Sequence, residues 1–511
     1  MTQILDDNSN VLQLIQGPDT VLALGGNDLV QSFSGGGSLI FGNADADLLY
    51  AQGSNDSLDG GQDDDQLTSS KGSSLLFGRE GDDVLLTSAA GRDTLIGDGD
   101  SLGGGNDSLV GATVSEAPVS PVESLLGGAS GGGLIATNNY YFGNQGNDTI
   151  SGSGSGETMF GGQGNDLLTA AKGSTDNFLS GDVGSDTLIG GGSDDTLLGD
   201  YDPAGGGNDS VVGGVGDNVY INGNIGNDTL VVGDGAESSV YGGQGNDFID
   251  ASGVGTGDTI GNFYLSGDKG SDTILAGSES DTVLGGDGDD SLQGIGGTSE
   301  TLQGTALFGG NGNDILIGVG AQKLVGEAGN DYLFSESGTD FFDAGDGNDT
   351  LDARGSAGTS GISWAAGNGD DLLLGSAQVE QLSGGAGNDT LYGAEGADQM
   401  NGGDGQDRFQ YLNVGEFGDQ IGDFVSGTDK FIFQGANIGG FPAASGLNDA
   451  QLVIVSNYNG TTGAAGTAPL FAFETATKNL VLDINGSTEG GTFVVATIFG
   501  GTVTENDIQI F

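Results

Sequence analysis

Short apolar pairs recur along the chain, and each pair follows a polar, glycine-rich phrase that ends in aspartate. The phrase reads GGNDLV at residues 25–30, and longer versions read GGQGNDLL at 161–168 and GGQGNDFI at 242–249. It returns as GGNGNDIL at 309–316 and as GGAGNDTL at 384–391. Short apolar segments bounded by Gly, Asn and Asp predict strands joined by tight turns. A phrase repeated this often predicts a solenoid, in which each repeat stacks on its neighbours.

The spacing of the aspartates predicts how the strands are arranged. Asp28 and Asp47 are 19 residues apart, whereas Asp47, Asp56 and Asp65 follow one another at intervals of nine. We interpret nine residues as one turn and one strand, so that two such units wind once around a flattened helix. The sequence therefore predicts an all-β fold: a right-handed parallel β-roll, or β-solenoid, of Gly/Asp-rich nonapeptide repeats with strands in two facing sheets.

One half of each predicted coil is less regular than the other. Where aspartates are 18 or 19 residues apart, the intervening half-turn keeps its apolar pair but lacks the carboxylate, as at 36–43, 72–79, 156–162 and 237–243. We therefore expect one sheet edge with a nearly complete set of carboxylates and a second edge with carboxylates only in patches. Aromatic residues often end these half-turns, and we interpret them as core filling or edge stacking rather than as a ligand site.

Changes of composition divide the chain into three predicted segments. Residues 1–19 are an N-terminal edge segment, 20–408 the repeat β-roll, and 409–511 a C-terminal β domain that caps the last coil. Residues 112–139 contain two prolines and no repeat phrase, which predicts an insertion loop. Beyond residue 408 the glycine phrases stop and apolar segments lengthen. Strands are expected there at 429–434, 469–474, 479–484 and 491–498.

Charge changes this picture because it requires a counter-ion. The 511 residues include 107 glycines, 73 acidic side chains and 10 basic ones, for a formal net charge of −63. A compact state with this charge repels itself unless cations are bound. The same charge argues against nucleic acid as a partner, since phosphate recognition needs clustered Lys and Arg. No apolar stretch approaches the ~20 residues of a spanning helix, so no transmembrane segment is expected.

The chain contains neither cysteine nor histidine. This composition excludes a thiolate nucleophile, a Ser-His-Asp triad, a histidine general base and the usual zinc sites. A hydrolase with a pair of catalytic carboxylates stays open as an alternative. Aspartates spread evenly through repeats favour a structural role instead, so we expect that the protein is not an enzyme.

The repeated phrase suits calcium, which takes about six to eight oxygen ligands. Glycines allow a turn to direct carbonyl oxygens inward, the aspartate supplies a carboxylate, and two successive turns together complete the shell. Simple turn chemistry is the alternative, but it does not explain why an apolar residue recurs two positions after the aspartate. Because only the folded chain would hold these ions, folding is expected to be coupled to calcium. The candidate ligands of multiple Ca²⁺ ions are Gly26, Asp28, Asp47, Asp56, Asp65, Asp83, Asp107, Gly146, Asp148, Gly164, Asp166, Asp186, Asp195, Asp209, Asp228, Gly245, Asp247, Asp272, Asp281, Asp290, Gly312, Asp314, Asp331, Asp340, Asp349, Asp371, Gly387, Asp389, Asp398 and Asp407.

With these motifs, residues 25–409 resemble the RTX (repeats-in-toxin) family of secreted proteins. Residues 419–433 (DQIGDFVSGTDKFIF) and the closing NDIQIF at 506–511 are similar to the end domain that follows such repeats in serralysin-type proteases. The resemblance implies an uncleaved C-terminal signal read by a type I secretion apparatus, and hence a secreted, extracellular or cell-surface protein. The N-terminus agrees, because it lacks the basic and apolar regions of a cleaved signal peptide. The protease, lipase and pore-forming segments of the family are not found in the sequence, which disfavours a toxin or a hydrolase.

These features favour a structural protein that folds with calcium outside the cell and self-assembles into a surface layer, sheath or filament. Residues 11–15 (VLQLI) are expected to begin the first coil with little ahead of them to cap the sheet edge. Uncapped edges pair with other chains, and a head-to-tail contact that does not close forms a filament. The expected partner is therefore a second copy, in a head-to-tail homopolymer. The alternative is a secreted calcium-dependent adhesin or polysaccharide-binding protein that contacts cell-surface polysaccharide.

Overall fold

The computed structural model describes most of the chain, in two units that are treated separately. The described residues are 2–14, 19–32, 36–87, 92–98, 104–111, 138–201, 205–233, 235–253, 262–277, 280–295, 304–320, 322–337, 340–355, 363–438, 445–446, 452–458, 469–485 and 491–511. The first unit comprises residues 1–269 and the second comprises 270–511. The predicted insertion at 112–139 lies outside the described residues except for Asn138 and Asn139.

Short β-strands make up the first unit. They are β1 Thr2–Ile4, β2 Val11–Leu14, β3 Thr20–Leu22, β4 Leu29–Ser32, β5 Leu39–Asn43, β6 Leu48–Ala51, β7 Ser57–Gln62, β8 Gln66–Ser69, β9 Leu75–Glu80, β10 Val84–Thr87, β11 Thr94–Ile96, β12 Ser108–Gly111, β13 Tyr140–Gln145, β14 Thr149–Ser151, β15 Thr158–Gln163, β16 Leu167–Thr169, β17 Phe178–Val183, β18 Thr187–Ile189, β19 Thr196–Leu198, β20 Ser210–Val212, β21 Tyr220–Ile225, β22 Thr229–Val231, β23 Ser239–Gln244, β24 Phe248–Asp250 and β25 Tyr264–Lys269.

The second unit continues with the same kind of strand and with two 3₁₀ turns, Val414–Glu416 and Glu505–Asp507. Its strands are β26 Thr273–Leu275, β27 Thr282–Asp287, β28 Ser291–Gln293, β29 Ala306–Asn311, β30 Ile315–Val319, β31 Lys323–Ala328, β32 Tyr332–Ser337, β33 Phe341–Asp346, β34 Thr350–Asp352, β35 Ser363–Asn368, β36 Leu372–Leu374, β37 Gln381–Ala386, β38 Thr390–Tyr392, β39 Gln399–Asp404, β40 Arg408–Tyr411, β41 Asp419–Ile421, β42 Lys430–Phe433, β43 Ser445–Gly446, β44 Leu452–Val455, β45 Leu470–Glu474, β46 Asn479–Asp483, β47 Thr492–Ile498 and β48 Ile508–Ile510.

Strands pair in parallel with the next strand but one, which makes each unit a solenoid. In the first unit β5 pairs with β7, with Leu39 opposite Ser57, and β6 pairs with β8, with Leu48 opposite Gln66. Odd-numbered strands therefore form one sheet and even-numbered strands form the other. The second unit follows the same rule as far as β42, as in the parallel pairs β31–β33 and β30–β32. The all-β parallel β-solenoid is confirmed; the right-handed sense of the coil stays a prediction.

The core is a double row of apolar side chains between the two sheets. The second residue of each repeat strand points inward, as in Ile40, Leu58 and Leu76 of one sheet and Leu49 and Leu67 of the other, which are fully buried. Residues on either side of each point outward, because successive side chains of a strand alternate between faces. Burying one such side chain stabilises the fold by ~1.5–3 kcal/mol. The apolar residue two positions after each aspartate is therefore the core residue of its coil.

Aromatic residues of the aspartate-poor half-turns stack along the outside of the odd-numbered sheet. Phe160 lies 5.4 Å from Phe142 between ring centroids, with their planes 6° apart. The ring centroids of Tyr241 and Tyr220 lie 5.5 Å apart, with the ring planes tilted by 39°. These rings are partly exposed on the outer face of the sheet. No helix among the described residues is long and apolar enough to cross a membrane.

Parallel coils continue beyond residue 408 before the pairing changes. Strand β42 pairs in parallel with β40, and β48 pairs in parallel with β42, which places the C-terminal residues on the last coil. Strand β46 pairs antiparallel with both β45 and β47. All four apolar segments predicted after residue 408 form strands, namely β42, β45, β46 and β47. The predicted segment boundaries at 19 and 408 stay predictions.

Candidate metal sites at the sheet edges

Two sets of turns connect the sheets, and the predicted metal ligands divide between them. We call the turns that lead into even-numbered strands edge 1, and those that lead into odd-numbered strands edge 2. Edge 1 carries Asp28, Asp47, Asp65, Asp83, Asp107, Asp148, Asp166, Asp186, Asp209, Asp228 and Asp247 in the first unit, and Asp272, Asp290, Asp314, Asp331, Asp349, Asp371, Asp389 and Asp407 in the second. The glycines Gly26, Gly146, Gly164, Gly245, Gly312 and Gly387 lie two residues before aspartates of this edge. Edge 2 carries Asp56, Asp195, Asp281, Asp340 and Asp398.

Aspartates of edge 1 form a continuous hydrogen-bonded ladder within each unit. The N–H of each aspartate donates to Oδ1 of the aspartate one coil further along the chain. In the first unit the N–H of Asp47 donates to Asp65 at 2.7 Å, and the N–H of Asp65 donates to Asp83 at 2.8 Å. In the second unit the N–H of Asp331 donates to Asp349 at 2.7 Å. One carboxylate oxygen of each aspartate is thus used to hold successive coils in register.

In most edge-1 aspartates the other carboxylate oxygen, Oδ2, is buried and has no hydrogen-bond donor among the described residues. It lies in a space that is open only because a glycine precedes it: a Cβ at Gly143 would lie 2.2 Å from Oδ2 of Asp148. A buried carboxylate without a partner is strongly unfavourable, so these oxygens are fitted to a cation. They belong to Asp28, Asp47, Asp65, Asp83, Asp107, Asp148, Asp166, Asp186, Asp209, Asp228, Asp290, Asp314, Asp331, Asp349, Asp371, Asp389 and Asp407.

Backbone carbonyls supply further oxygens at edge 1. Gly164 has a φ of +141°, and a Cβ there would lie 1.6 Å from the carbonyl oxygen of Gly146 in the neighbouring coil. Only glycine fits such a stack of turns. No group of three or more acidic side chains that could hold a metal lies within the described ranges. The residues present therefore fit Ca²⁺ only if each shell combines an edge-1 carboxylate with turn carbonyls, as the sequence led us to expect. Calcium bound there would supply positive charge that links neighbouring coils.

Burial and neighbouring carboxylates raise the pKa values of edge-1 aspartates such as Asp148 and Asp83. Burial is the largest cause that raises the pKa of Asp148 to about 8, and the neighbouring carboxylate of Asp107 raises it further against the N–H bond that Asp107 donates. The pKa of Asp83 is likewise raised to about 8, by burial first and then by Asp65 among its acidic neighbours. A cation beside a carboxylate favours its charged form and would reverse this shift.

Edge 2 is more varied than edge 1, in line with the expected patchy occupancy. Asp340 and Asp398 have an Oδ2 without a donor in the described structure, like the aspartates of edge 1. Asp56, Asp195 and Asp281 differ, because Oδ2 of each accepts an N–H of its own turn. Other edge-2 positions carry serine, asparagine, glutamine or glutamate, such as Ser38, Asn177, Gln322 and Glu157.

Hydrogen bonds of the ladder kind continue beyond residue 408 at both edge 1 and edge 2, and the sequence did not lead us to expect them there. The N–H of Asp407 donates to Oδ1 of Asp429 at 3.2 Å, and the N–H of Asp398 donates to Oδ1 of Asp419 at 2.9 Å. Asp429 immediately precedes strand β42 (Lys430–Phe433) and begins the apolar segment predicted at 429–434, which was the available signal. It was overlooked because the turn before it lacks the repeated glycine phrase.

Comparison with protein families agrees with this geometry. A model of the RTX calcium-binding nonapeptide repeat matches residues 33–67, 63–89, 136–168, 173–200, 204–237, 222–253, 266–298, 318–351 and 374–409. Together these matches cover more than half of the chain. No curated protein was found to be similar to it. The chain therefore belongs to the RTX calcium-binding nonapeptide repeat family.

Proposed function

We propose that this protein is a secreted, calcium-binding structural protein that folds with Ca²⁺ and self-assembles into an extracellular surface layer, sheath or filament. The observation that carries the proposal is the edge-1 ladder, whose buried carboxylates recur coil after coil with one oxygen lacking a donor. The ladder runs through most of the coils of both units, so we take the repeats themselves to be the functional part of the protein. The absence of cysteine and histidine from the sequence supports a role other than catalysis.

Calcium and folding are coupled in this proposal because the unfolded chain has no preformed sites. A site that is saturated 100-fold above its Kd stabilises the folded state by about 2.7 kcal/mol. Six such sites would together contribute about 16 kcal/mol, which exceeds the about 5–15 kcal/mol by which a typical folded domain is stable. The test is a calcium titration followed by far-ultraviolet circular dichroism and light scattering. We expect a cooperative gain of β signal and then scattering; full β signal in chelator would refute the coupling.

Self-assembly is proposed to use the first coil of the first unit and the C-terminal region of the second unit. In the first coil the side chains of Ile4 and Val11 are 65% and 74% exposed. In the C-terminal region Ile454 of β44 is 55% exposed. We propose that the N-terminal coil of one copy docks against the C-terminal β region of another. Electron microscopy with calcium would show filaments or layers that a variant lacking residues 1–15 does not form; dispersed particles from both would refute this contact.

Export is proposed to proceed through a type I secretion apparatus that reads the C-terminal segment. The acidic and apolar residues NDIQIF at 506–511 support it. Co-expression with a type I exporter should deliver the full chain to the medium and retain a variant without 506–511. Equal export of both would contradict a signal in this segment.

A calcium-dependent adhesin or polysaccharide-binding protein is the second candidate. The aromatic residues on the outside of the odd-numbered sheet favour it, since Tyr140 and Tyr220 are 46% and 37% exposed. Aromatic rings are common contacts for sugars, but the ring of Tyr220 also packs on that of Tyr241. A glycan-array signal that is lost in Tyr140→Ala and Tyr220→Ala would support this function, and no signal would remove it.

A further inference from the structure

The predicted metal-ligating aspartates differ in what their second carboxylate oxygen contacts. Oδ2 of Asp186 on edge 1 is buried and has no donor among the described residues. Nine residues later on edge 2, Oδ2 of Asp195 accepts the N–H groups of Gly191 at 2.7 Å and Gly192 at 3.0 Å. Oδ1 of Asp195 accepts both the backbone N–H and the side-chain amide of Asn177, each at 2.9 Å. Asp195 thus has both oxygens satisfied by protein donors.

The same arrangement occurs at other edge-2 turns. Oδ2 of Asp56 accepts the N–H of Gly53 at 3.0 Å, and its Oδ1 accepts the N–H of Ser38 at 2.8 Å. In the second unit, Oδ2 of Asp281 accepts the N–H of Gly277 at 2.9 Å. In each case a carboxylate binds N–H groups of the turn that leads to it.

These turns are oriented the wrong way for a cation. In a planar trans peptide the N–H and the C=O point in opposite directions, so a turn that directs its N–H groups at the carboxylate directs the carbonyls of the same peptides away. Ca²⁺ requires oxygen ligands, and inward N–H groups place partial positive charge where the ion would lie. Charge-assisted hydrogen bonds already balance the carboxylate.

Side-chain amides close other turns of edge 2 by the converse contact. The Nε2 group of Gln322 donates to the carbonyl oxygens of Ile295 at 2.7 Å and Val319 at 3.0 Å. Nδ2 of Asn177 donates to Oγ of Ser174 at 2.7 Å. Here a side-chain amide contacts the oxygens of the turn, which a bound cation would contact where an aspartate such as Asp340 takes the same place.

We infer that the turns at Asp56, Asp195 and Asp281 are held closed by their own N–H groups and take no metal ion. Among the predicted ligands, calcium is confined to the aspartates whose Oδ2 was described above as lacking a donor, such as Asp186 of edge 1 and Asp340 and Asp398 of edge 2. The inference rests on the proposed function, because it assumes that the chain binds calcium. Three residues with the sequence signature of a ligand are thereby assigned to cation-independent turns.

The matched variants Asp186→Asn and Asp195→Asn test this assignment in the full-length protein. Bound calcium would be counted by equilibrium dialysis at a fixed, saturating concentration of free Ca²⁺. We expect Asp186→Asn to lose at least one ion per chain and Asp195→Asn to keep the count of the unaltered protein. Asp56→Asn, in a different coil, should behave like Asp195→Asn and provides the same reading where Asp195→Asn does not fold.

The outcomes separate the inference from the function on which it rests. If Asp195→Asn or Asp56→Asn loses as many ions as Asp186→Asn, the inference is overturned while calcium binding stands. If the unaltered protein binds no calcium, the proposed function fails and the inference fails with it.

Discussion

Replacing Gly164 with alanine tests the stacked turns of edge 1 directly. Gly164 has a φ of +141°, and a Cβ there would lie 1.6 Å from the carbonyl oxygen of Gly146. Holding alanine in this backbone conformation costs about 1–3 kcal/mol, and forcing the backbone oxygen aside costs about 1–3 kcal/mol more. We therefore expect Gly164→Ala to lower the free energy of unfolding by about 2–6 kcal/mol.

Urea unfolding in saturating calcium, followed by far-ultraviolet circular dichroism, measures this loss. With an m value of about 3 kcal/mol/M, the midpoint should fall by about 0.7–2 M. Gly253→Ala is the matched control, because a Cβ at Gly253 would meet no atom within 4 Å. Its free energy of unfolding should change by less than about 1 kcal/mol. A midpoint for Gly164→Ala no lower than that of Gly253→Ala would refute the reasoning.

Three further perturbations probe other parts of the structure. In chelator, lowering the pH from 9 to about 5.5 should restore part of the β signal in far-ultraviolet circular dichroism, because the pKa of Asp148 is raised from 3.8 to about 8 and the stabilising proton is lost as the pH rises through that value; a β signal at pH 9 equal to or above that at pH 5.5 would contradict this. Trp364→Ala should lower the free energy of unfolding by about 3–5 kcal/mol, because Trp364 is buried and its ring centroid lies 4.8 Å from that of Phe342. A loss below about 1 kcal/mol in urea unfolding would show that the side chain is not part of a packed core. Asp507→Asn should speed hydrogen exchange in β48 through a loss of about 1–3 kcal/mol, since Asp507 accepts the N–H of Gly427 at 2.8 Å; unchanged exchange would mean that this contact does not hold the strand.

The repeat spacing was sufficient to predict the coil and the two edges. Asp47, Asp56 and Asp65 are nine residues apart, and the structure places them alternately on edge 1, edge 2 and edge 1. A fixed period with an apolar residue after each aspartate leaves few other ways to bury the apolar side chains. The strands of the C-terminal region were also visible as apolar segments.

Long-range pairing and turn orientation could not be predicted in the same way. Strand Asp419–Ile421 pairs with Thr492–Ile498, and no sequence period relates the two. Asp186 and Asp195 both follow Gly- and Ser-containing phrases, yet only Asp195 accepts N–H groups of its own turn. That difference depends on the backbone dihedral angles of the turn glycines. Because glycine adopts many conformations, the sequence does not indicate which one each turn takes.

Hydrogen–deuterium exchange of the edge-1 turns with and without calcium tests the central claim most directly. At pH 8 the amides of residues 143–168, which include the ladder N–H groups of Asp148 and Asp166, should be protected in calcium and exchange rapidly in chelator. Equal protection in the two conditions would contradict the account, because the coils would then hold together without the ion that their buried carboxylates are proposed to bind.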